Sequence, residues 1–295
     1  MPEPHPLIPD SRPLNPVFKY GVIIMQKRPL ILITNDDGIQ SPGLRAAARA
    51  VADLGDLLIV APNKQQTGAS RSYPFNNNQP LEQTTVALNG STHPAHTGNM
   101  SPAQSVTVGV LYLARRPVDL VISGINYGEN VGSGVTISGT VGAAIEAGCY
   151  GIPALAVSLQ TPHEHHFSNS DVVDFSVAAH FTRQFAQKVL QNGLPANVDL
   201  LKIDVPASAT VETPWQFGRV SRQRYYETPP GNFEKVLKGE SKLAYHVNVQ
   251  RDSLEPDSDV KIFSVDRHVS VVPMTVDLTA PVTLADVSRF YNHKK

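Results

Sequence analysis

Two adjacent aspartates, Asp36 and Asp37, are the strongest chemical signal in this sequence. They follow residues 30–34, a Leu-Ile-Leu-Ile-Thr run typical of a buried parallel strand. In open α/β sheets, ligands bind outside the carboxyl ends of such strands. A single aspartate there would be typical of a helix cap, but two neighbouring carboxylates repel each other unless a cation neutralises them. The pair, followed by Gly38, therefore favours a divalent metal site.

A glycine-rich segment, residues 123–140, is the second signal. Eight of the 20 glycines lie between positions 124 and 151, where the backbone must turn tightly or approach a ligand closely. The segment ends at a predicted helix that begins near Gly139-Thr140, and free N–H groups at a helix N-terminus attract phosphate. It is not a P-loop, because Thr140 stands where that motif requires lysine. A metal held by Asp36 and Asp37 would supply the missing positive charge.

A third polar loop, residues 61–72, follows the next predicted strand and offers hydroxyls, amides, Lys64 and Arg71. All three loops belong to the same carboxyl edge of the predicted sheet. Their candidate ligands are carboxylates, hydroxyls and the amide of Asn126, with no Cys or His among them. Hard oxygen ligands of this kind select Mg²⁺, Mn²⁺ or Ca²⁺ over zinc.

Alternating strand and helix patterns must position these loops. They predict an α/β fold: a Rossmann-like, mainly parallel sheet with helices on both faces. Helices are predicted after Ser41-Pro42 and Ser101-Pro102, near Gly139 and over residues 172–190, and Asn89-Gly90 predicts a hairpin turn. The predicted buried strands cover residues 30–34, 57–61, 118–123, 154–159 and 200–205.

The chain divides into three predicted parts. Residues 1–28 are expected to be a disordered tail, residues 29–206 the Rossmann-like catalytic core, and residues 207–295 an extended β-rich region with a final helix. Strands are predicted over 217–226, 244–250, 260–265 and 269–276, and the final helix is expected to bury Leu284, Val287 and Phe290 or Tyr291. Because extended hairpins with little core of their own usually pack on another subunit, we expect an oligomer.

Composition excludes several functions. The net charge of -1 offers no basic field for a nucleic-acid polymer or an anionic membrane, and no apolar run approaches the roughly 20 residues of a membrane span. The single cysteine, Cys149, excludes a disulfide framework and fits a cytoplasmic location. The first 24 residues contain six prolines and no apolar segment of signal-peptide type, and Met25 is an alternative translation start.

Three motifs in order resemble the SurE (survival protein E) family of 5'/3'-nucleotidases: Asn-Asp-Asp-Gly at 35–38, Gly-Ala-Ser at 68–70 and Ser-Gly-Ile-Asn at 123–126, the last continued by Ser-Gly-Thr-Val at 138–141. The resemblance is close over residues 30–159 and looser near 272–279. It implies a metal-dependent phosphomonoesterase with a Rossmann-like core and a partly swapped C-terminal region in dimers or tetramers.

The resemblance also implies a ligand set for Mg²⁺ or Mn²⁺, with Ca²⁺ a further candidate: Asp36, Asp37, Thr67 and Asn126. Thr67 departs from the family, which has Ser at this position, but keeps the hydroxyl oxygen. Thr275 stands where many relatives have a His, so no role of that His is carried over.

The predicted chemistry is hydrolysis of a nucleoside monophosphate, with Asp36 and Asp37 as catalytic residues. Phosphate oxygens are expected to bind the N–H and hydroxyl donors of Gly124, Ser138, Gly139 and Thr140, with Asn35 and Asn130 as further contacts. Attack by a carboxylate and attack by water both fit these residues. We favour water activated by the metal or by Asp36.

Two other functions fit parts of this pattern. A non-catalytic, nucleotide-binding regulatory protein would need the same loops, and a sugar-nucleotide transferase also uses paired aspartates with Mn²⁺. We interpret residues 163–166, His-Glu-His-His, as a solvated loop rather than a metal site. Two interpretations fit Arg222, Arg224, Tyr225 and Tyr226: contact with a base or a phosphate, and an alternating strand face, which we favour.

Overall fold

The computed structural model describes residues 28–74, 80–166, 168–229, 231, 233–240 and 245–292. The predicted disordered tail, except for Arg28, lies outside the described residues. In the described part of the chain, every helix is too short or too polar to cross a membrane.

Eleven strands and six α-helices are present in the described residues. The strands are β1 Leu30–Thr34, β2 Asp56–Pro62, β3 Glu82–Leu88, β4 Ser91–Gly98, β5 Leu120–Tyr127, β6 Ala154–Leu159, β7 Leu200–Val205, β8 Trp215–Phe217, β9 Tyr226–Glu227, β10 His246–Val247 and β11 Val269–Met274. The helices are α1 Pro42–Val51, α2 Pro102–Val108, α3 Gly139–Cys149, α4 Ser176–Asn192, α5 Phe233–Leu237 and α6 Leu284–Asn292.

Nine of these strands form one sheet in the order β3-β4-β2-β1-β5-β6-β7-β11-β8. The strands from β4 to β7 are parallel to their neighbours, whereas β3 is antiparallel to β4 and β11 is antiparallel to β7. The predicted mainly parallel α/β sheet is therefore confirmed, with antiparallel strands added towards its edges. Since the parallel strands end on one edge, the loops after β1, β2 and β5 lie together.

Both faces of the sheet are covered. Ile31 and Ile33 of β1 belong to the core on one face, together with residues of α1 and α4. Leu30 and Leu32 belong to the core on the other face, together with residues of α2 and α3. Burial of one such side chain contributes about 1.5–3 kcal/mol, which is why a central strand is apolar at every position.

Local signals fix several element boundaries. Ser41 caps α1, with its hydroxyl accepting from the Gly43 N–H at 3.1 Å. Ser101 caps α2 and accepts from the Gln104 N–H at 3.1 Å, while the Gln104 side chain accepts from the Ser101 N–H at 3.0 Å. This reciprocal pair is a capping box. Asn89 and Gly90 both have positive φ, as the tight hairpin turn between β3 and β4 requires.

The C-terminal region differs from the prediction in several places. The predicted strand at 217–226 is wrong, because β8 ends at Phe217 and β9 begins only at Tyr226, and the predicted strand at 244–250 is reduced to β10. The predicted strand at 260–265 is wrong, because Lys261–Val265 forms a helical turn that buries the consecutive residues Ile262 and Phe263. The predicted burial of Val287 in α6 is also wrong: this side chain is 41% exposed, because α6 does not bury that face in the described structure. The side chains of Leu284, Phe290 and Tyr291 lie outside the description. The sheet itself continues beyond β7, since β11 and β8 join its edge.

A buried charged cluster joins this C-terminal region to the glycine-rich loop. The Nζ atom of Lys202 lies 2.5 Å from Asp204 Oδ2 and 3.1 Å from Asp259 Oδ2, and all three side chains are fully buried. Asp204 also accepts from the Asn130 N–H at 2.7 Å, and Asp259 accepts from the Gly132 N–H at 3.1 Å. Removing one partner of a buried ion pair costs about 3–5 kcal/mol, so this cluster strongly constrains the loop.

Candidate active site

Asp36 and Asp37 lie directly after β1 and are almost completely buried, with 5% and 2% exposure. Asp36 Oδ1 accepts a hydrogen bond of 2.5 Å from the Thr140 hydroxyl. Asp37 accepts from Gln65 Nε2 at 3.0 Å and from the Tyr127 N–H at 3.3 Å. The two carboxylates, which belong to the first loop, are thus held by donors from the other two predicted loops.

These two carboxylates are electrostatically unfavourable in the absence of a cation. Burial raises the pKa of Asp36. Burial, and then repulsion by Asp36, raises the pKa of Asp37 well above its ordinary value. Both effects oppose the charged form, and a nearby divalent cation would reverse them.

Backbone contacts hold the three loops together. The Gln66 N–H donates to the Asp36 carbonyl at 2.7 Å, and the Ser70 N–H donates to the Ile137 carbonyl at 3.0 Å. Gly142 allows α3 to approach the loop at residues 61–72, since a Cβ atom at position 142 would lie 2.4 Å from the Ser70 carbonyl oxygen. The structure therefore brings the three loops together as the sequence predicts.

The N-terminus of α3 lies against Asp36. Ser138 caps this helix and accepts from the Val141 N–H at 3.1 Å. A Cβ atom at Gly139 would lie 2.8 Å from Asp36 Oδ2, so only glycine permits this approach. Together with the Thr140 hydroxyl, these residues fix Asp36 against the helix end, where N–H groups favour negative charge.

A cavity of about 680 Å³ opens beside these groups. Of the sequence-predicted site residues, five line it: Asp36, Thr67, Asn126, Asn130 and Ser138. The other five, Asn35, Asp37, Gly124, Gly139 and Thr140, are buried and are not part of its wall.

Two of the predicted substrate contacts are engaged in the fold itself. Both polar atoms of the Asn35 side chain bond Gly38, accepting from its N–H and donating to its carbonyl, each at 3.1 Å. Gly124 packs against the sheet, because a Cβ atom there would lie 2.3 Å from the Val157 carbonyl oxygen. Their contacts in the structure are those of turn and packing residues, and their predicted contact with phosphate stays a prediction.

Sequence reasoning missed five further residues of the cavity wall: Glu129, His166, Arg224, Tyr226 and Tyr245. Arg224 and Tyr226 were expected on an alternating strand face, but β9 is only two residues long. The dense basic and aromatic run at 222–226 was the one signal in the sequence that could have pointed to this wall.

His166 is half-buried and not part of a solvated loop. Its Nε2 atom lies 3.1 Å from the Thr161 carbonyl, and its Nδ1 atom lies 3.1 Å from the Tyr245 hydroxyl. Because a carbonyl only accepts, Nε2 carries the proton and Nδ1 accepts from tyrosine. Burial lowers the pKa of His166, which keeps the ring neutral.

The donor chemistry of the site fits a hard divalent cation. Asp36, Thr67 and Asn126 share the cavity wall, and Asp37 lies beside Asp36. Asn126 donates through its amide nitrogen to the Gly128 carbonyl at 2.7 Å, so its amide oxygen remains for a ligand. Within the described ranges there is no cluster of three or more His, Cys, Asp or Glu side chains suited to a metal. A cation here would therefore combine two carboxylates with neutral oxygens, which suits Mg²⁺.

The family model described as Survival protein SurE matches residues 31–227. The chain belongs to the SurE family. The 5'-nucleotidase SurE of Thermococcus kodakarensis is 37% identical over 88% of this chain and 97% of that protein. The corresponding protein of Methanocella arvoryzae is 39% identical over 88% of this chain and 96% of its own length. A crystal structure of the SurE protein from Aquifex aeolicus, 26% identical, superimposes with a TM-score of 0.67 and covers 90% of this chain and 100% of the other.

The family predicted from the three motifs is therefore confirmed for this SurE chain. Asn-Asp-Asp-Gly and Gly-Ala-Ser lie in loops at the carboxyl edge of the sheet, Ser-Gly-Ile-Asn lies in the C-terminal half of β5, and Ser-Gly-Thr-Val lies at the N-terminus of α3. The resemblance in sequence thus coincides with the cavity that the structure shows.

Replacing either aspartate by asparagine tests the carboxylate pair. Asp36→Asn and Asp37→Asn each remove one charge at constant shape, so we expect phosphate release to fall at least about 100-fold. Folding should survive, since each change relieves repulsion between buried charges. Phosphate release and thermal unfolding are measured beside Asp252→Asn, which changes an exposed aspartate. Near-full activity of either site variant at saturating metal would show that the site is misassigned.

Thr67 is tested by two substitutions that separate its hydroxyl from its volume. If the hydroxyl binds the cation, Thr67→Ser keeps metal affinity, and Thr67→Val lowers it by about 10–100-fold, as expected for a supporting interaction. The measurement is activity against Mg²⁺ or Mn²⁺ concentration. Superimposable curves for the wild type and Thr67→Val would remove Thr67 from the ligand set.

Proposed function

We propose that this SurE chain is a metal-dependent phosphomonoesterase that hydrolyses nucleoside 5'-monophosphates, and also 3'-monophosphates, to nucleoside and phosphate. The observation that carries the proposal is the pair of buried carboxylates, of which Asp36 is held against the N-terminus of α3 and lies on the wall of the cavity. The name 5'-nucleotidase, printed for the archaeal relatives, supports the 5'-specific part.

The metal part of the proposal rests on the raised pKa values of Asp36 and Asp37 and on the surrounding oxygen donors. We assign Asp36, Asp37, Thr67 and Asn126 as the residues that would hold Mg²⁺ or Mn²⁺. When bound, the ion supplies Lewis-acid stabilisation of negative charge on the phosphoryl oxygens.

The residues of the chain bind and orient the phosphate. The Ser138 hydroxyl offers a donor to its oxygens from the cavity wall. The N–H groups of Gly139 and Thr140 hydrogen-bond Asp36, so their predicted contact with phosphate stays a prediction. In the hydrolytic step, a water oxygen would bond to phosphorus and the ester P–O bond would break. One water proton would pass to Asp36, which would then give it to the departing nucleoside oxygen. Asp36 suits this role because it is the one carboxylate of the pair that lines the cavity.

The size of the cavity supports a nucleotide as the substrate. Its volume of about 680 Å³ lies within the range of roughly 300–1,000 Å³ typical of sites for small organic ligands. A phosphate ion would occupy a small part of it, so most of the wall is available to the nucleoside.

A phosphate-release assay tests this function and its alternatives. Nucleoside 5'- and 3'-monophosphates and phenyl phosphate are incubated with the enzyme alone, with a chelator, and with Mg²⁺, Mn²⁺ or Ca²⁺ restored. We expect release without any acceptor, loss with chelator and recovery with Mg²⁺ or Mn²⁺. Nucleotide binding without turnover would support the regulatory protein instead, and turnover that requires an acceptor would support the transferase. Full activity in chelator would contradict the metal part.

We further infer that the chain forms a homodimer or homotetramer in the cytoplasm. Support for assembly comes from apolar side chains exposed in the C-terminal region: Leu237 at 70%, Val247 at 50%, Leu278 at 88% and Val282 at 57%. Light scattering of the full chain should give a mass of two or four subunits, and Leu278→Ser with Val282→Ser should lower it. A monomer at micromolar concentration would contradict the assembly.

The single cysteine supports the cytoplasmic location, and a fluorescent fusion found outside the cytoplasm would contradict it.

A further inference from the structure

Glu129 is a buried acid that the proposed phosphate chemistry does not use. It follows β5, lines the cavity and is only 5% exposed. Its Oε2 atom has no hydrogen-bond partner of normal geometry in the described part of the chain. A buried acceptor left unsatisfied costs about 1–3 kcal/mol or more when charged, so a donor from a ligand would stabilise it.

Three aromatic rings stand beside Glu129 on the same wall. The rings of Tyr226 and Tyr245 have centroids 5.2 Å apart at 78°, and those of His166 and Tyr245 are stacked at 18° with centroids 6.4 Å apart. The Tyr226 hydroxyl lies close to the Glu129 carboxyl but makes no hydrogen bond of normal geometry among the described residues. Gly128 permits this arrangement, because a Cβ atom there would lie 2.7 Å from His166 Nε2.

The aromatic rings on the same wall mean that a ligand which reaches Glu129 must also pack against aromatic surface. Burial raises the pKa of its carboxyl, while the nearby phenols of Tyr225 and Tyr226 favour the ionised form. An acceptor next to aromatic faces is the combination that recognises a planar, N–H-bearing ring, by stacking on its face and hydrogen bonding at its edge. Stacking of one base on an aromatic side chain is worth about 1–3 kcal/mol.

The geometry points to Glu129, Tyr226 and Tyr245 as a subsite for the nucleobase, in which the Glu129 carboxylate accepts a hydrogen bond from a base N–H. Guanine is the best match, because its Watson–Crick edge presents two adjacent N–H donors. The inference rests on the proposed nucleotidase function and adds the part of the substrate that sets its specificity.

Glu129→Gln tests the hydrogen bond at nearly constant shape. For each variant, kcat/KM is measured with guanosine monophosphate, its 2'-deoxy form and phenyl phosphate, which has no base. We expect the ratio of guanosine monophosphate to phenyl phosphate to fall about 10–100-fold, the scale for a hydrogen bond to a charged group. Glu82→Gln, which changes an exposed glutamate at the start of β3, is the matched control. An unchanged ratio in Glu129→Gln would overturn the inference.

Two further measurements keep the inference testable. Tyr245→Leu should raise KM for all nucleotides about tenfold relative to phenyl phosphate, since stacking does not depend on the base. An unchanged KM would contradict the aromatic part of the subsite. This variant also tests the subsite if Glu129→Gln does not fold. The loss in Glu129→Gln should be equal for the ribose and 2'-deoxy substrates. A loss confined to the ribose form would place Glu129 on the sugar and overturn the base contact.

The subsite and the phosphate chemistry can fail separately. If the wild type released no phosphate from any substrate, the proposed function would fail. Binding of guanosine, which has no phosphate, would then be measured by calorimetry on the same protein. Binding that weakens in Glu129→Gln supports the subsite on its own, and absence of binding to the wild type overturns it.

Discussion

Two like charges buried side by side at the end of β1 are the constraint on which the site depends. Asp36 and Asp37 are both nearly inaccessible, and their raised pKa values reflect the unfavourable energy of that position. The Thr140 hydroxyl and the Gln65 amide offset part of this energy by hydrogen bonding. These contacts come from different loops. The two buried carboxylates are therefore stabilised only when the loops at the carboxyl edge of the sheet are folded around them. A divalent cation bound here would offset the rest of this energy.

A second buried charge cluster explains how a distant part of the chain belongs to the same site. Lys202 pairs with Asp204, two residues along β7, and with Asp259 in the C-terminal region. The same two carboxylates accept N–H groups of Asn130 and Gly132 in the glycine-rich loop. Since each charge would be strongly unfavourable alone, the loop, the sheet and the C-terminal region are fixed as one unit. The C-terminal residues of the cavity wall are thereby placed opposite the catalytic edge.

The wall of the cavity is formed by residues from two parts of the sequence. Its reactive groups come from loops of the parallel sheet, whereas Arg224, Tyr226 and Tyr245 come from the region after β8. Glu129 connects the two, because it lies in the glycine-rich loop but meets the tyrosines of the C-terminal region. In this arrangement the core would supply the chemistry and the C-terminal region would supply selectivity.

The sequence alone determined the features that depend on neighbouring residues. The apolar runs, the Ser41 and Ser101 caps, the Asn89-Gly90 turn and the Asp36-Asp37 pair all follow from local rules. Only the tertiary structure decided that 261–265 is helical and that β11 and β8 extend the sheet. It also decided that Glu129, His166 and Tyr226 share one cavity. These outcomes depend on contacts between residues that lie far apart in the sequence. Hydrophobic periodicity and motif spacing carry no information about such contacts.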